Sequence, residues 1–314
     1  MKIRSAIYLI VAVITTVVLL PIRPVFAANP AVNSITVKAG ISVSDLTNPY
    51  FVTMVRSIQD ELSRHTGNAS FIVRSSAYNL DRQIRQLDEF VAEKVDIIFL
   101  AATDEFQIND AVLNAREAGI PVVAVDVRAQ GADFAVTTDN VQAGQVACSN
   151  LAEYIQGRGN VVIINGPPVS SVIERVSGCK RVLADYPAIR IVSDSLNGTA
   201  SYEGGLEAMA YALEAYQSIS GVFTINDPTA LGAEQAIRQS GKEVYIVSVD
   251  GSALAIDALK EARPYWLGTA SQSPDKMSRR AVQVALDILK GTPPDNDVIL
   301  IPSKFISRQN IPTP

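Results

Sequence analysis

Compact runs rich in Val, Ile, Leu and Phe recur along most of the chain, with amphipathic stretches between them. The apolar runs fall at 35–41, 71–75, 96–101, 121–126, 134–137, 160–165, 189–194, 221–225, 244–249 and 267–270. Several are nearly all Val, Ile, Leu or Phe, the pattern of strands buried on both faces of a parallel sheet. The stretches between them carry helical spacing: Phe51, Val55, Ile58 and Leu62 share one face, as do Ile84, Leu87 and Val91. Repeated strand–helix–strand units predict a doubly wound α/β fold. Their number predicts two such sheets in succession, with the first crossing near Thr138–Asp139. The proline-bearing stretch 291–297 reads as a loop feeding a late strand at 298–301, and the polar tail 307–314 as frayed.

The first residues break this pattern. Lys2 and Arg4 precede an apolar run at 6–20; Pro21 ends it, and Val25-Phe26-Ala27 places small residues at the −3 and −1 positions of a cleavage site. The run is shorter than the ~20 residues of a spanning helix and Arg23 follows closely, so residues 1–27 read as a cleaved export signal rather than an anchor. No cysteine adjoins the cut, which excludes lipid attachment there. A freely diffusing exported protein implies a periplasm. In that oxidising space Cys148 and Cys179, the only cysteines of the 314-residue chain, are disulfide candidates. They fall on successive helical stretches flanking the strand at 160–165. Right-handed crossovers lay such helices side by side on one face of a sheet, within disulfide reach.

The net charge of −5 offers nothing global to nucleic acid or an anionic membrane. His65 is the single histidine, so the usual metal and acid–base constellations lose their commonest member; it reads as a surface residue at a helix end. No Gly-x-Gly-x-x-Gly opens a βαβ unit, and neither a phosphate loop nor a Gly-x-Ser-x-Gly elbow is present. An enzyme is therefore disfavoured.

In open α/β sheets ligands bind at the carboxyl ends of the strands. Polar residues cluster there: Ser44, Asp45 and Asn48 after the first run, Asp126 and Arg128 after the fourth, then Asn226 and Asp227, Asp250, and Gln272. Such groups suit a polyhydroxylated ligand, whose hydroxyls both donate and accept. Tyr50 and Phe51 could cover an apolar C–H face of it. Each has a plainer alternative. An Asp or Asn at a strand end often only caps a helix, Phe51 lies on an apolar helix face, and an arginine within a helix, as Arg175, is usually solvated.

The order of several fragments adds to this reading. They are Thr47-Asn48-Pro49-Tyr50-Phe51, Gly119-Ile120-Pro121-Val122-Val123 leading to Asp126, Thr138-Asp139-Asn140-Val141 with Gly144, Glu174-Arg175 with Gly178, Asn226-Asp227 with Ala230-Leu231-Gly232-Ala233, Val249-Asp250-Gly251, and Gln272-Ser273-Pro274. In these the chain resembles the ribose-type, or type I, periplasmic sugar-binding proteins of ATP-binding cassette importers, over nearly all of its length after the signal. The resemblance implies the periplasmic binding protein type I fold: two similar doubly wound parallel-sheet lobes joined by three crossovers. The N-terminal lobe would hold 28–138 and about 272–301, the C-terminal lobe 139–271 and about 302–314. The crossovers near Thr138–Asp139, 270–272 and 301–303 would absorb closure of the lobes on a ligand. By position it implies ligand contacts from Ser44, Asn48, Tyr50, Phe51, Asp126, Arg175, Asn226, Asp250 and Gln272. It implies a monomer that captures a small neutral sugar or polyol without cofactor or metal, and delivers it to the permease subunits of an importer. The alternative is a periplasmic receptor for a sugar-like signal, feeding a chemoreceptor or sensor kinase. Repressors of the lac type share the two-lobed domain, but a signal segment stands here where their DNA-binding helices would be, so no nucleic-acid partner is expected. Three positions depart from the ribose binders. Val127 stands where an arginine is expected, with Arg128 one further on, and Ala200 and Val249 stand where rings are expected.

Overall fold

The computed structural model describes residues 36–261 and 265–311. The export signal expected over 1–27, the start of the first strand at Ile35 and the last three residues of the tail lie outside the described residues. Two six-stranded sheets follow one another. The first has the order β11-β5-β4-β3-β1-β2, built from β1 (Thr36–Val43), β2 (Asn68–Ser75), β3 (Ile97–Leu100), β4 (Val122–Val125), β5 (Phe134–Thr138) and β11 (Val298–Ile301). The second repeats that order as β12-β10-β9-β8-β6-β7, from β6 (Arg158–Asn165), β7 (Ala188–Asn197), β8 (Gly221–Thr224), β9 (Tyr245–Asp250), β10 (Trp266–Ser271) and β12 (Phe305–Ser307). Every pairing is parallel except β10 with β12. The central strands β3, β4 and β8 are buried at every residue, which accounts for their near-continuous apolar runs.

The chain passes between the sheets three times. Thr138 ends β5, and the Asp139 side chain caps α4 (Asn140–Tyr154), which packs on β9 and β10 of the second sheet. After β10, Gln272 leads into α9 (Pro274–Leu289), which packs on β4, β5 and α1 (Pro49–His65) of the first lobe. Ile301 ends β11, and Phe305 opens β12 four residues later.

One strand was not legible in the pattern. β12 has three residues, too few for a period of two to register. Pairing with β10 and burial of Ile306 order it. This corrects the frayed tail: Ser307 lies in β12, and its N–H donates to Asn310 Oδ1 at 2.7 Å. β7 also runs past the expected Asp194 to Asn197, through two register shifts against β6.

Helices α4 and α5 (Ser170–Ala184) lie unusually close. A Cβ at Gly144 would sit 1.9 Å from the Arg175 carbonyl oxygen, and one at Gly178 2.1 Å from that of Val141. Only glycine permits this approach. The Cys148–Cys179 disulfide, with Cα atoms 5.1 Å apart, spans the same contact. It closes a separation of 31 residues within one lobe. Replacing both cysteines by alanine should lower unfolding free energy by about 3–4 kcal/mol in the chain-entropy view, measured by guanidinium denaturation. Alkylation of the protein, denatured without reductant, should modify neither cysteine.

Candidate functional site

The carboxyl ends of both sheets face one cavity of about 50 Å3. All nine residues expected from the sequence line it: Ser44, Asn48, Tyr50, Phe51, Asp126, Arg175, Asn226, Asp250 and Gln272. The repeated strand order explains the convergence. Asp126 follows β4 and Asp250 ends β9, the corresponding strands of the two sheets. Both aspartates hold backbone conformations that side-chain-bearing residues rarely adopt, with φ of 71° and 138°. Such strain persists only where the surroundings over-determine it, and it concentrates at functional positions.

Arg175 is 4% exposed, which corrects the reading of a solvated helix arginine. Its Nε donates to Asn140 Oδ1 at 2.9 Å and its Nη1 to the Ile225 carbonyl at 2.8 Å. Nη1 also lies 3.6 Å from Asp250 Oδ1. The Asn140 amide is itself fixed to Thr137 Oγ1 and the Thr138 carbonyl. The guanidinium is thus aimed by the first crossover and by the end of β8.

A chain of polar contacts crosses the cavity wall. The Tyr50 hydroxyl donates to Asp126 Oδ1 at 2.7 Å and lies 3.1 Å from Gln272 Oε1. Gln272 Oε1 accepts from Thr138 Oγ1 at 2.9 Å, and Gln272 Nε2 donates to Asp250 Oδ1 at 2.8 Å. Burial pushes the Asp126 carboxyl above the usual carboxylate range, opposed by Arg175. Burial and the neighbouring charge of Asp227 push Asp250 up to about 7, again opposed by Arg175.

Asp227, flagged at a strand end, faces away from the cavity and into the fold. Its fully buried carboxylate accepts from Ser248 Oγ, Thr269 Oγ1, Ser252 N and Ser252 Oγ at 2.6–2.8 Å. It ties β9, β10 and the start of α8 (Ala253–Lys260) together beneath Asp250. Asp45 also stays out of the cavity, accepting from Thr47 N and Oγ1. Arg128 turns to the rim, where it pairs with Glu105 of the first lobe at 3.0 Å and Glu174 of the second at 2.7 Å. Val127 takes its place on the cavity wall.

The capping alternative also holds in part. Asn48 Oδ1 accepts from Tyr50 N at the start of α1, and Asn226 Oδ1 from Thr229 N at the start of α7 (Asp227–Ser240). Asn226 Nδ2 is further used by the Ala200 carbonyl. Phe51, 5% exposed, belongs to the first-lobe core and also touches the cavity. Val249 is fully buried and lies outside the lining, whereas Ala200 belongs to it.

Sequence reasoning missed Tyr78, Pro167, Val169, Ser171, Val172 and Ile225. Tyr78 follows the second apolar run, so the strand-end rule already applied elsewhere would have found it. The others are small or aliphatic and carry no chemical signal.

The periplasmic binding protein domain family matches residues 39–293. The ribose import binding protein of Bacillus subtilis is 30% identical over 255 residues, covering 80% of this chain and 81% of that protein. A xylitol-binding protein of Mycolicibacterium smegmatis is 28% identical over 289 residues, 91% of this chain and 81% of that protein. Among solved structures, a periplasmic solute-binding protein of an Actinobacillus succinogenes importer with bound D-allose superposes with a TM-score of 0.79. It is 27% identical, with 87% of this chain and 98% of that one covered. The Caulobacter myo-inositol-binding protein with myo-inositol superposes with a TM-score of 0.80 at 25% identity, covering 88% and 94%. With this match across most of its length, and two sheets of the same strand order around one cavity, the chain belongs to the type I periplasmic sugar-binding protein family.

Proposed function

We propose that this protein captures a neutral sugar or sugar alcohol in the cavity between its lobes, in the periplasm, and hands it to the permease of an ATP-binding cassette importer. One observation carries the reading: a buried carboxylate, Asp126, and a second, Asp250, whose side chain is only 9% exposed, share the cavity with a single buried guanidinium, Arg175. The site is rich in acceptors and carries no surplus positive charge. An anionic ligand would meet two carboxylates, whereas hydroxyl groups can donate to them and accept from Arg175. Tyr50 and Phe51, packed edge to face, offer rings to an apolar sugar face. The relatives that carry ribose, xylitol, allose or inositol in their names support this class of ligand. The lobes meant here are 28–138 with about 272–301, and 139–271 with about 302–314, after loss of a signal over 1–27. The protein acts as a monomer and performs no chemistry on its ligand.

A thermal-shift screen over pentoses, hexoses, tetritols, pentitols and hexitols should find a ligand that raises the melting temperature. Mass action predicts about 4 kcal/mol of stabilisation at a thousandfold excess over Kd. A response confined to amino acids or phosphorylated compounds would sink the proposal.

Truncating Arg175 or Asp250 to alanine should weaken binding of the ligand so found at least about tenfold, since charged hydrogen bonds contribute roughly 1.5–3 kcal/mol each. Titration calorimetry on the folded variants checks this.

The ligand-free protein should also register the cost of Asp250. Its carboxyl is held above its unfolded value, so the folded state binds the proton more tightly. That stabilisation is complete at low pH and is lost as pH rises through about 7. Asp250→Asn should therefore gain stability relative to the unaltered protein as pH rises from about 5 to 8, while losing ligand affinity. Denaturant titrations at the two pH values measure the difference.

A further inference from the structure

Tyr78 lies between the end of β2 and Asn79, whose side chain caps α2 (Leu80–Ala92). Its backbone and that of Ala77 are both left-handed, with φ of 54° and 51°. Residues with side chains adopt this conformation in succession only where the surroundings impose it. Here they do. Ser76 N donates to the Val43 carbonyl at 2.9 Å, Ser76 Oγ meets Thr103 Oγ1 at 2.8 Å, and Tyr78 N donates to the Ser44 carbonyl at 3.3 Å. The turn is pinned to the ends of β1 and β3, and the Tyr78 side chain lines the cavity.

Two hydroxyls at this corner lack a protein partner. Ser44 is 1% exposed, and its Oγ makes no hydrogen bond. The Tyr78 hydroxyl makes none among the described residues. For Ser44 this needs an explanation, because a buried polar group without a partner is costly and rare; Tyr78 is only partly buried. The cavity's rings supply a second observation. Tyr50, Phe51 and Tyr78 all come from the first lobe, while the second lobe contributes Pro167, Val169, Val172, Ala200 and Ile225. Tyr78 thus adds a ring on the first lobe in a cavity whose second lobe lacks the two rings expected of it.

We propose that Tyr78 and Ser44 together receive one hydroxyl group of the ligand, and that this corner selects among sugars and sugar alcohols by the placement of that hydroxyl. This rests on reading the cavity as a polyol site. The phenol, kept protonated by burial and by the nearby charge of Asp126, is a donor at neutral pH. Serine both donates and accepts. A ligand hydroxyl can accept from Tyr78 and donate to Ser44, whereas an ether or carbonyl oxygen can only accept. A ligand lacking the group leaves the buried Ser44 hydroxyl unsatisfied and Tyr78 without its contact, the arrangement by which a polar site rejects an analogue.

The test is titration calorimetry of the unaltered protein, Tyr78→Phe and Ser44→Ala with D-ribose, D-allose, xylitol and myo-inositol, then with monodeoxy derivatives of whichever binds most tightly. Tyr78→Phe keeps the ring, so its melting temperature without ligand should be unchanged. Its affinity for the tightest binder should fall about three- to tenfold, the loss of one hydrogen bond. One monodeoxy derivative should bind the unaltered protein and Tyr78→Phe equally, because its contact is already gone. If the tightest binder holds to Tyr78→Phe within twofold, or every monodeoxy derivative keeps the full difference, the corner is refuted while the polyol reading stands. If none of the four binds, the tightest binder of the thermal-shift screen takes their place; if no sugar or sugar alcohol of that screen binds the unaltered protein, the polyol reading fails and the corner with it.

Discussion

Everything at the centre of this molecule follows from burying two carboxylates beside one guanidinium. An isolated buried carboxylate is too costly to remain charged, and at Asp250 the neighbouring charge of Asp227 raises the cost again. Arg175 opposes that rise at both Asp126 and Asp250. It can do so only from a fixed position, because a displaced guanidinium would leave both acids uncompensated. Asn140 and the Ile225 carbonyl provide the fixing.

The close contact of α4 and α5 serves the same end. Gly144 lies against the Arg175 carbonyl and Gly178 against that of Val141, so the helix carrying Arg175 is seated on the helix carrying Asn140 with no room for a Cβ at either position. The Cys148–Cys179 bond lies one turn along α4 from Gly144 and beside Gly178. It braces one lobe without tying it to the other. On the β9 side, Asp227 is the counterpart. With four hydrogen bonds it fixes the turn after Asp250, although its charge also raises the Asp250 carboxyl.

The fold was legible because buried parallel strands leave near-continuous apolar runs, and all ten early runs and the late one at 298–301 became strands. β12 escaped because three residues cannot show a period and because its order comes from pairing with β10, which is remote in sequence. The cavity was legible for a topological reason: polar residues at strand ends must converge when two doubly wound sheets face each other. Local pattern could not separate neighbours, however. Asp227 and Asp250 look alike in sequence, yet one braces the fold and the other lines the cavity. Arg128 and Arg175 differ in the opposite sense from a helix-surface rule, one at the rim and one buried. Those outcomes depend on which element packs opposite, and a single sequence does not display that.

Gln272 is where site and crossover meet. It follows β10, in the second of the three passages between the sheets. Its oxygen accepts from Thr138, which opens the first passage, and its nitrogen donates to Asp250 of the second lobe. The Tyr50 hydroxyl of the first lobe has one proton and two acceptors within reach, Asp126 and Gln272. A ligand hydroxyl that donates to Asp126 would compete for that acceptor and favour the turn of Tyr50 toward Gln272. The same side chains that would hold a ligand therefore also bond across the crossovers, so occupancy of the cavity and the relative placement of the lobes share one set of hydrogen bonds. Were the lobes to close on a ligand, binding would need no further relay to reach that motion, because the contacts a ligand would change already bond across the crossovers.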